Sequence, residues 1–162
     1  MTSNNQNKFF ELIKHPVKFR MFLFLKLPSA YFAGVKVKYF DEYKTEVTVP
    51  YKWFSQNPFR STYFACLAMA AELSTGLLAM LNTYERKPTV SMLVTGLEAS
   101  YYKKATGITI FSCENGDAIK KAVDEAIITG EGRIVRAKST GRNNDGELVA
   151  EFFITWSFKS RK

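Results

Sequence analysis

The sequence predicts an α+β protein in which a largely antiparallel sheet wraps one long, buried helix. Three observations point there. First, between Ser61 and Leu81 only Glu72 is charged, no proline occurs, and Gly76 is the one glycine. Good helix formers (Ala, Leu, Met, Glu) dominate the run, which reads as one helix of about 20 residues, roughly 30 Å long. One side carries Phe64, Leu67, Ala71, Ser74, Leu78 and Leu81, and the other carries Ala65, Ala68, Glu72, Thr75 and Ala79. A helix apolar all round is buried, in a protein core or in a bilayer. Second, segments of alternating polarity flank it on both sides. Third, short turns join those segments in pairs, which favours antiparallel neighbours.

The bilayer alternative has the right length. It places Glu72 near the membrane centre, however, where an ionisable group is costly. The run is also rich in Ala, Ser and Thr, and alternating strands of soluble type follow it. A core helix with no membrane span is therefore expected.

Taken in order, residues 1–7 are polar and read as loose. Lys8–Lys14 (KFFELIK) reads as a short amphipathic helix stopping at His15-Pro16. Val17–Leu27 (VKFRMFLFLKL) suits helix or strand; helix is preferred, ended by Pro28. A basic, aromatic segment of this kind packs as a helical lid on a sheet edge, the reading preferred here, or lies on a membrane. Gly34–Phe40 and Thr45–Val49 alternate and form a hairpin closed by Pro50. Tyr51–Pro58 is a loop that delivers the chain into the central helix. After the break at Glu85–Pro88, Thr89–Lys104 reads as a long strand, with Gly96 marking a bulge or close approach. Ile108–Cys113 is a further strand. Asn115-Gly116-Asp117 provides a turn and N-cap for a second helix reaching Ile128, with Gly130 at its end. Arg133–Thr140 and Leu148–Phe158 are the last strands; Leu148, Ala150, Phe152, Ile154, Trp156 and Phe158 share one face.

The 162 residues fit one domain, divided into an N-terminal helical extension (1–32) and the helix-in-sheet body (33–162). The formal charge of +8 suits an anionic partner: a phosphate-bearing ligand, nucleic acid or an acidic membrane. Cys66 and Cys113 have no metal-type spacing, and the first residues lack signal-peptide order, so a cytoplasmic location is expected. His15, the only histidine, precedes a proline and is poorly placed for a triad. The sequence contains no metal cluster, Walker loop or dinucleotide fingerprint, and no metal is expected.

The order helix, helix, β, β, central helix, β, β, helix, β, β resembles the hotdog fold, a curved antiparallel sheet around one long helix. The likeness extends to a motif. Small acyl-CoA thioesterases of the phenylacetate-pathway type carry N-x-x-G-x-x-H-G-G, with an acidic residue nine positions after the His. Asn57 lies where the Asn falls and Glu72 where the acid falls. Arg60 stands at the first Gly, Tyr63 at the His, and Phe64-Ala65 at Gly-Gly. The chain looks most like an uncharacterised bacterial branch of the hotdog thioesterases. This resemblance implies an acyl-CoA or acyl-carrier thioester as substrate and no cofactor beyond the CoA of the substrate. It also implies a homodimer, or a dimer of dimers, and Glu72 activating water while helix-start N–H groups bind the carbonyl oxygen.

The residues suit those roles. A helix N-terminus offers unpaired donors and a positive dipole end. A glutamate in apolar surroundings has a raised pKa, which improves it as a base near neutrality. Asn57 orients water or carbonyl, and Tyr63 donates a hydrogen bond in place of the His. Phe64 and Ala65 line the approach of the thioester. Lys103, Lys104 and Arg136, with Arg133 and Lys138, are the cations available for CoA phosphates. Each has a structural counterpart: a satisfied carboxylate, a turn asparagine, a core tyrosine, a solvated strand face. Two function classes follow. One is a thioester hydrolase; the other is a non-catalytic hotdog that binds an acyl chain or acyl-CoA as sensor or carrier, favoured by Phe64 and the missing His. Nucleic-acid binding lacks a recognition motif and is not expected.

Overall fold

The computed structural model describes residues 4–161. Three helices open the chain: α1 (Asn4–Lys14), α2 (Pro16–Lys26) and α3 (Pro28–Ala33). The hairpin β1 (Lys36–Phe40) and β2 (Thr45–Val49) leads through a 3-10 turn at Trp53–Ser55 to the long helix α4 (Phe64–Thr83). Then come β3 (Val90–Tyr101), β4 (Thr109–Cys113), α5 (Gly116–Thr129), β5 (Arg133–Arg142) and β6 (Leu148–Ser160). The strands form one six-stranded sheet in the order β1-β2-β4-β5-β6-β3. Every neighbouring pair is antiparallel.

α4 is the hub of the core. Leu73, Leu77, Leu78 and Leu81 are at most 2% exposed, each contributing about 1.5–3 kcal/mol by burial. Its serine and threonine side chains are satisfied inside the fold. Ser74 Oγ bonds the Ala71 carbonyl at 2.7 Å and Ser139 Oγ on β5 at 2.8 Å. Thr75 Oγ1 accepts from Trp156 Nε1 on β6 at 2.9 Å. These bonds explain how a helix rich in Ser and Thr is tolerated in a core. By length and composition α4 also qualifies as a membrane span, but two thirds of that window (67%) is buried within the protein. It is a core helix.

Several boundaries differ from expectation. α1 starts at Asn4, so residues 4–7 are helical rather than loose; residues 1–3 lie outside the described residues. Pro28 ends α2 but also opens α3, where it sits in the first turn, a position in which its missing N–H costs nothing. Gly34, at φ +82°, closes α3 and donates to the Ala30 and Tyr31 carbonyls. β3 stops at Tyr101 rather than Lys104, because the N–H groups of Tyr102 and Lys103 both turn to the Val149 carbonyl. Asn115 occupies the N-cap position of α5 without a side-chain cap; its Oδ1 instead accepts from the Lys138 N–H at 2.8 Å, tying α5 to β5. Gly96 does mark a bulge, where the β3–β6 register shifts.

Candidate functional site

The loop Asn57–Tyr63 and the start of α4 make one half of the site. Asn57 Oδ1 accepts from the Phe59 N–H (2.9 Å), the Ser61 N–H (3.2 Å) and Ser61 Oγ (3.2 Å), and Nδ2 donates to the Thr62 carbonyl (3.4 Å). The side chain thus knots its own loop. Arg60 sits within that knot at φ +58°, a left-handed conformation that favours glycine. Arg60, which stands at the glycine of the N-x-x-G pattern, thus holds a conformation that a glycine adopts without strain. Thr62 fastens the loop to the Ala105 carbonyl through N–H (2.8 Å) and Oγ1 (3.1 Å).

Tyr63 is the N-cap of α4 with extended backbone and makes no side-chain cap. Its own N–H is engaged by the Ser55 carbonyl, and the Cys66 N–H by the Tyr63 carbonyl. The first-turn N–H groups of Phe64 and Ala65 are free of intrahelical partners by helix geometry. Phe64, but not Ala65, lines a cleft of about 580 Å³ walled also by Phe59, Tyr63, Leu67, Tyr101 and Tyr102, with Lys103 and Lys104 on its rim. Tyr63 and Phe64 meet edge to face at 4.9 Å and are both substantially exposed.

Glu72, two turns further along α4, opens into a different cleft. This one, about 260 Å³, is lined by Lys26, Leu27, Pro28, Ala30, Met69 and Leu73, so the α2–α3 junction forms its wall. The half-buried Glu72 carboxylate has no hydrogen bond or ion pair among the described residues, and desolvation alone raises its pKa above the ordinary value. Gly76 makes room for it: a Cβ there would stand 3.1 Å from Glu72 Oε1 and 3.4 Å from the Trp156 ring. Eight residues of helix separate Glu72 from Phe64, about 12 Å. Within one protomer Glu72 and the helix-start donors do not converge on one carbonyl.

The sequence-derived cations divide in the structure. Lys104 stands at the aromatic cleft, its Nζ 3.3 Å from the Phe59 carbonyl. Lys103 is paired with Glu147. Arg136 forks onto Glu98 (3.1 and 3.0 Å) and stacks 3.7 Å over Phe153, on the sheet face turned away from α4. Arg133 and Lys138 are paired as well, with Glu125, Glu131 and Glu151. His15 caps α2, its Nδ1 accepting from the Lys18 N–H. Burial pushes the Cys113 thiol up to about 11 and raises that of Cys66, so neither is a thiolate nucleophile near neutrality. Among the described residues no three His, Cys, Asp or Glu side chains gather as a metal site. The aromatic walls Phe59, Tyr101 and Tyr102, and the Leu27-Pro28 wall beside Glu72, are additions to the residues singled out by sequence. The Tyr-Tyr-Lys-Lys run was a signal for the former.

A continuous antiparallel sheet curled about one apolar helix defines the hotdog fold, and solved structures share it. A Pseudomonas aeruginosa protein of unknown function, described as a probable thioesterase, is 18% identical, with a TM-score of 0.76 over 93% of this chain and 99% of its own. A Haemophilus influenzae thioesterase is 12% identical, with a TM-score of 0.64 over 90% of each chain. The Escherichia coli PaaI protein from the phenylacetic acid degradation operon is 10% identical, with a TM-score of 0.64 over 98% of this chain and 97% of its own. Comparison with curated proteins found no match in sequence. The chain belongs to the DUF4442 family, a domain of unknown function, whose model matches residues 17–158.

Proposed function

We propose that this protein hydrolyses an acyl thioester, carried on CoA or on a carrier protein, with Glu72 as general base. The observation that carries the proposal is the Glu72 carboxylate: unpaired, desolvated and open to a cleft on a helix where every other polar side chain of the core face is satisfied. In the reaction Glu72 takes a proton from water, and the resulting hydroxide attacks the thioester carbonyl. The oxygen becomes negative against the Phe64 and Ala65 N–H groups. Collapse breaks the C–S bond, and the proton passes from Glu72 to the departing sulfur. The structural neighbours described as thioesterases support this reading through their shared fold.

The 12 Å between base and donors supports a site shared between two protomers. β3 is an edge strand with Leu93 and Leu97 exposed, open to pairing with a second copy, and in this reading the aromatic cleft of one chain works with the Glu72 cleft of the other. Asn57 shapes the donor loop in this account, Tyr63 and Phe64 wall the acyl site, and Lys104 meets the phosphates. Arg136 and Lys103 serve only if their acidic partners release them. Two buried, free cysteines suit a reducing cytoplasm.

A second reading, a non-catalytic acyl binder, is favoured by the Tyr63–Phe64 ring pair over the helix start. Free-thiol release on short, long and aromatic acyl-CoAs separates the two. The hydrolase reading expects turnover that Glu72→Gln lowers by about 10²-fold or more. Absence of turnover across the panel, together with a lipid retained on the purified protein by mass spectrometry, supports the binder instead.

A further inference from the structure

We propose that α2 and the turn beside it form a docking surface for an anionic lipid bilayer. α2 is apolar on two sides. Phe19 and Leu23 are buried against the body, while Val17, Met21, Phe24 and Leu25 point outward at helical spacing, Leu25 being 66% exposed. Ring contacts extend this stripe: Phe24 to Phe32 at 6.2 Å, Phe32 to Phe54 at 5.7 Å, and Phe54 to Trp53 at 6.4 Å. Trp53, at the end of the row, is 82% exposed. Scattered exposed apolar residues need no explanation; a contiguous patch of large ones does.

Charge identifies the occupant. From residue 12 to residue 40 the sequence holds Lys14, Lys18, Arg20, Lys26, Lys36 and Lys38 and no acidic residue. Most lysines and arginines elsewhere are tied to carboxylates, as Lys44, Arg86, Lys103, Arg136 and Lys138 are. Lys14, Lys18, Lys26 and Lys52, around the patch, have no acidic partner among the described residues. A second protein would meet this rim of repelling charge with carboxylates and no need for so much protruding aliphatic surface. An acidic bilayer satisfies both features: Leu, Met, Phe and Trp enter the headgroup boundary, and the lysines reach lipid phosphates. The α2–α3 junction also walls the Glu72 cleft, so docking would bring that cleft close to the lipid surface. The surface itself does not depend on the thioesterase reading.

Sedimentation with vesicles of half phosphatidylglycerol and half phosphatidylcholine, against phosphatidylcholine alone, tests the proposal on the full chain. The wild type is expected to pellet with the anionic vesicles and to remain largely in solution with the neutral ones. Met21→Glu with Leu25→Glu, both at exposed positions, should abolish pelleting while the circular-dichroism melt is retained. Lys14→Gln with Lys18→Gln should lower partitioning about tenfold or more. Failure of the wild type to bind anionic vesicles overturns the proposal, as does unchanged binding by the Met21/Leu25 variant. A smaller oligomer for that variant by light scattering also overturns it, since the patch would then be a contact between copies.

Discussion

Glu72 is a carboxylate held where carboxylates are unstable. Desolvation raises its folded pKa above its unfolded value, with no opposing cation or donor. The folded protein prefers the protonated form, a preference fully expressed below the ordinary glutamate range and lost as pH rises through the raised pKa. At neutral pH the ionised side chain therefore works against the fold. Glu72→Gln should stabilise the protein at pH 7 in thermal melts, with the gain shrinking as the pH falls through the raised folded pKa and gone below the ordinary glutamate value. A structural carboxylate would give the opposite result, a loss on substitution. Arg60 supplies a second test at this scale. Its φ of +58° costs roughly 1 kcal/mol for an L-residue. Arg60→Gly should be neutral or stabilising, whereas the β-branched Arg60→Val should cost more than about 1 kcal/mol. Urea unfolding with an unchanged slope measures both, and a destabilised glycine variant would mean the arginine side chain itself holds the loop.

Among the elements, α5 shows how closely the parts are fitted. Gly116 donates to the Tyr43 carbonyl at 3.1 Å, and a Cβ added there would lie 2.2 Å from the Glu42 carbonyl oxygen and 2.6 Å from Tyr43 Cα. These are backbone atoms and cannot swing aside. Gly116→Ala should destabilise by about 2 kcal/mol or more, while Gly107→Ala, with nothing within 4 Å of the new Cβ, should be close to neutral. Equal effects would refute the packing argument. The elements themselves were largely legible. α4 followed from its lack of charge, and β6 from its alternation, which the buried Ala150, Phe152, Ile154, Trp156 and Phe158 bear out, while at the strand's start Leu148 is only half-buried and Val149 is buried instead. The start of α1 was not legible, because Asn4, Asn5, Gln6 and Asn7 offer no apolar periodicity. Nor was α3: a proline that ends one helix can begin the next, and only the chain's path decides.

For the molecule as a whole, what local sequence could not reveal was pairing across the sheet. Arg136 meets Glu98, and Lys103 meets Glu147, because strand register brings distant residues together; neither partner is close in sequence. Asn57 is the opposite case. Its side-chain bonds reach only to residues 59, 61 and 62, as the turn asparagine named beside its functional reading would do. The placement of Glu72 at the motif's acidic position was legible, but its separation from the helix start into another cleft was not, since it depends on where the α2–α3 junction lies. The division makes a second protomer integral to the proposed chemistry, and makes the base the part on which everything else depends. The most direct measurement is the pH dependence of kcat/KM for free-thiol release, from about pH 5 to about pH 8, with wild type and Glu72→Gln side by side on the best acyl-CoA. The expected result is a wild-type rate that rises with pH through one ionisation lying above the ordinary glutamate value, and a slow, featureless profile for the variant. A variant that keeps the wild-type rate and the same rise would contradict it.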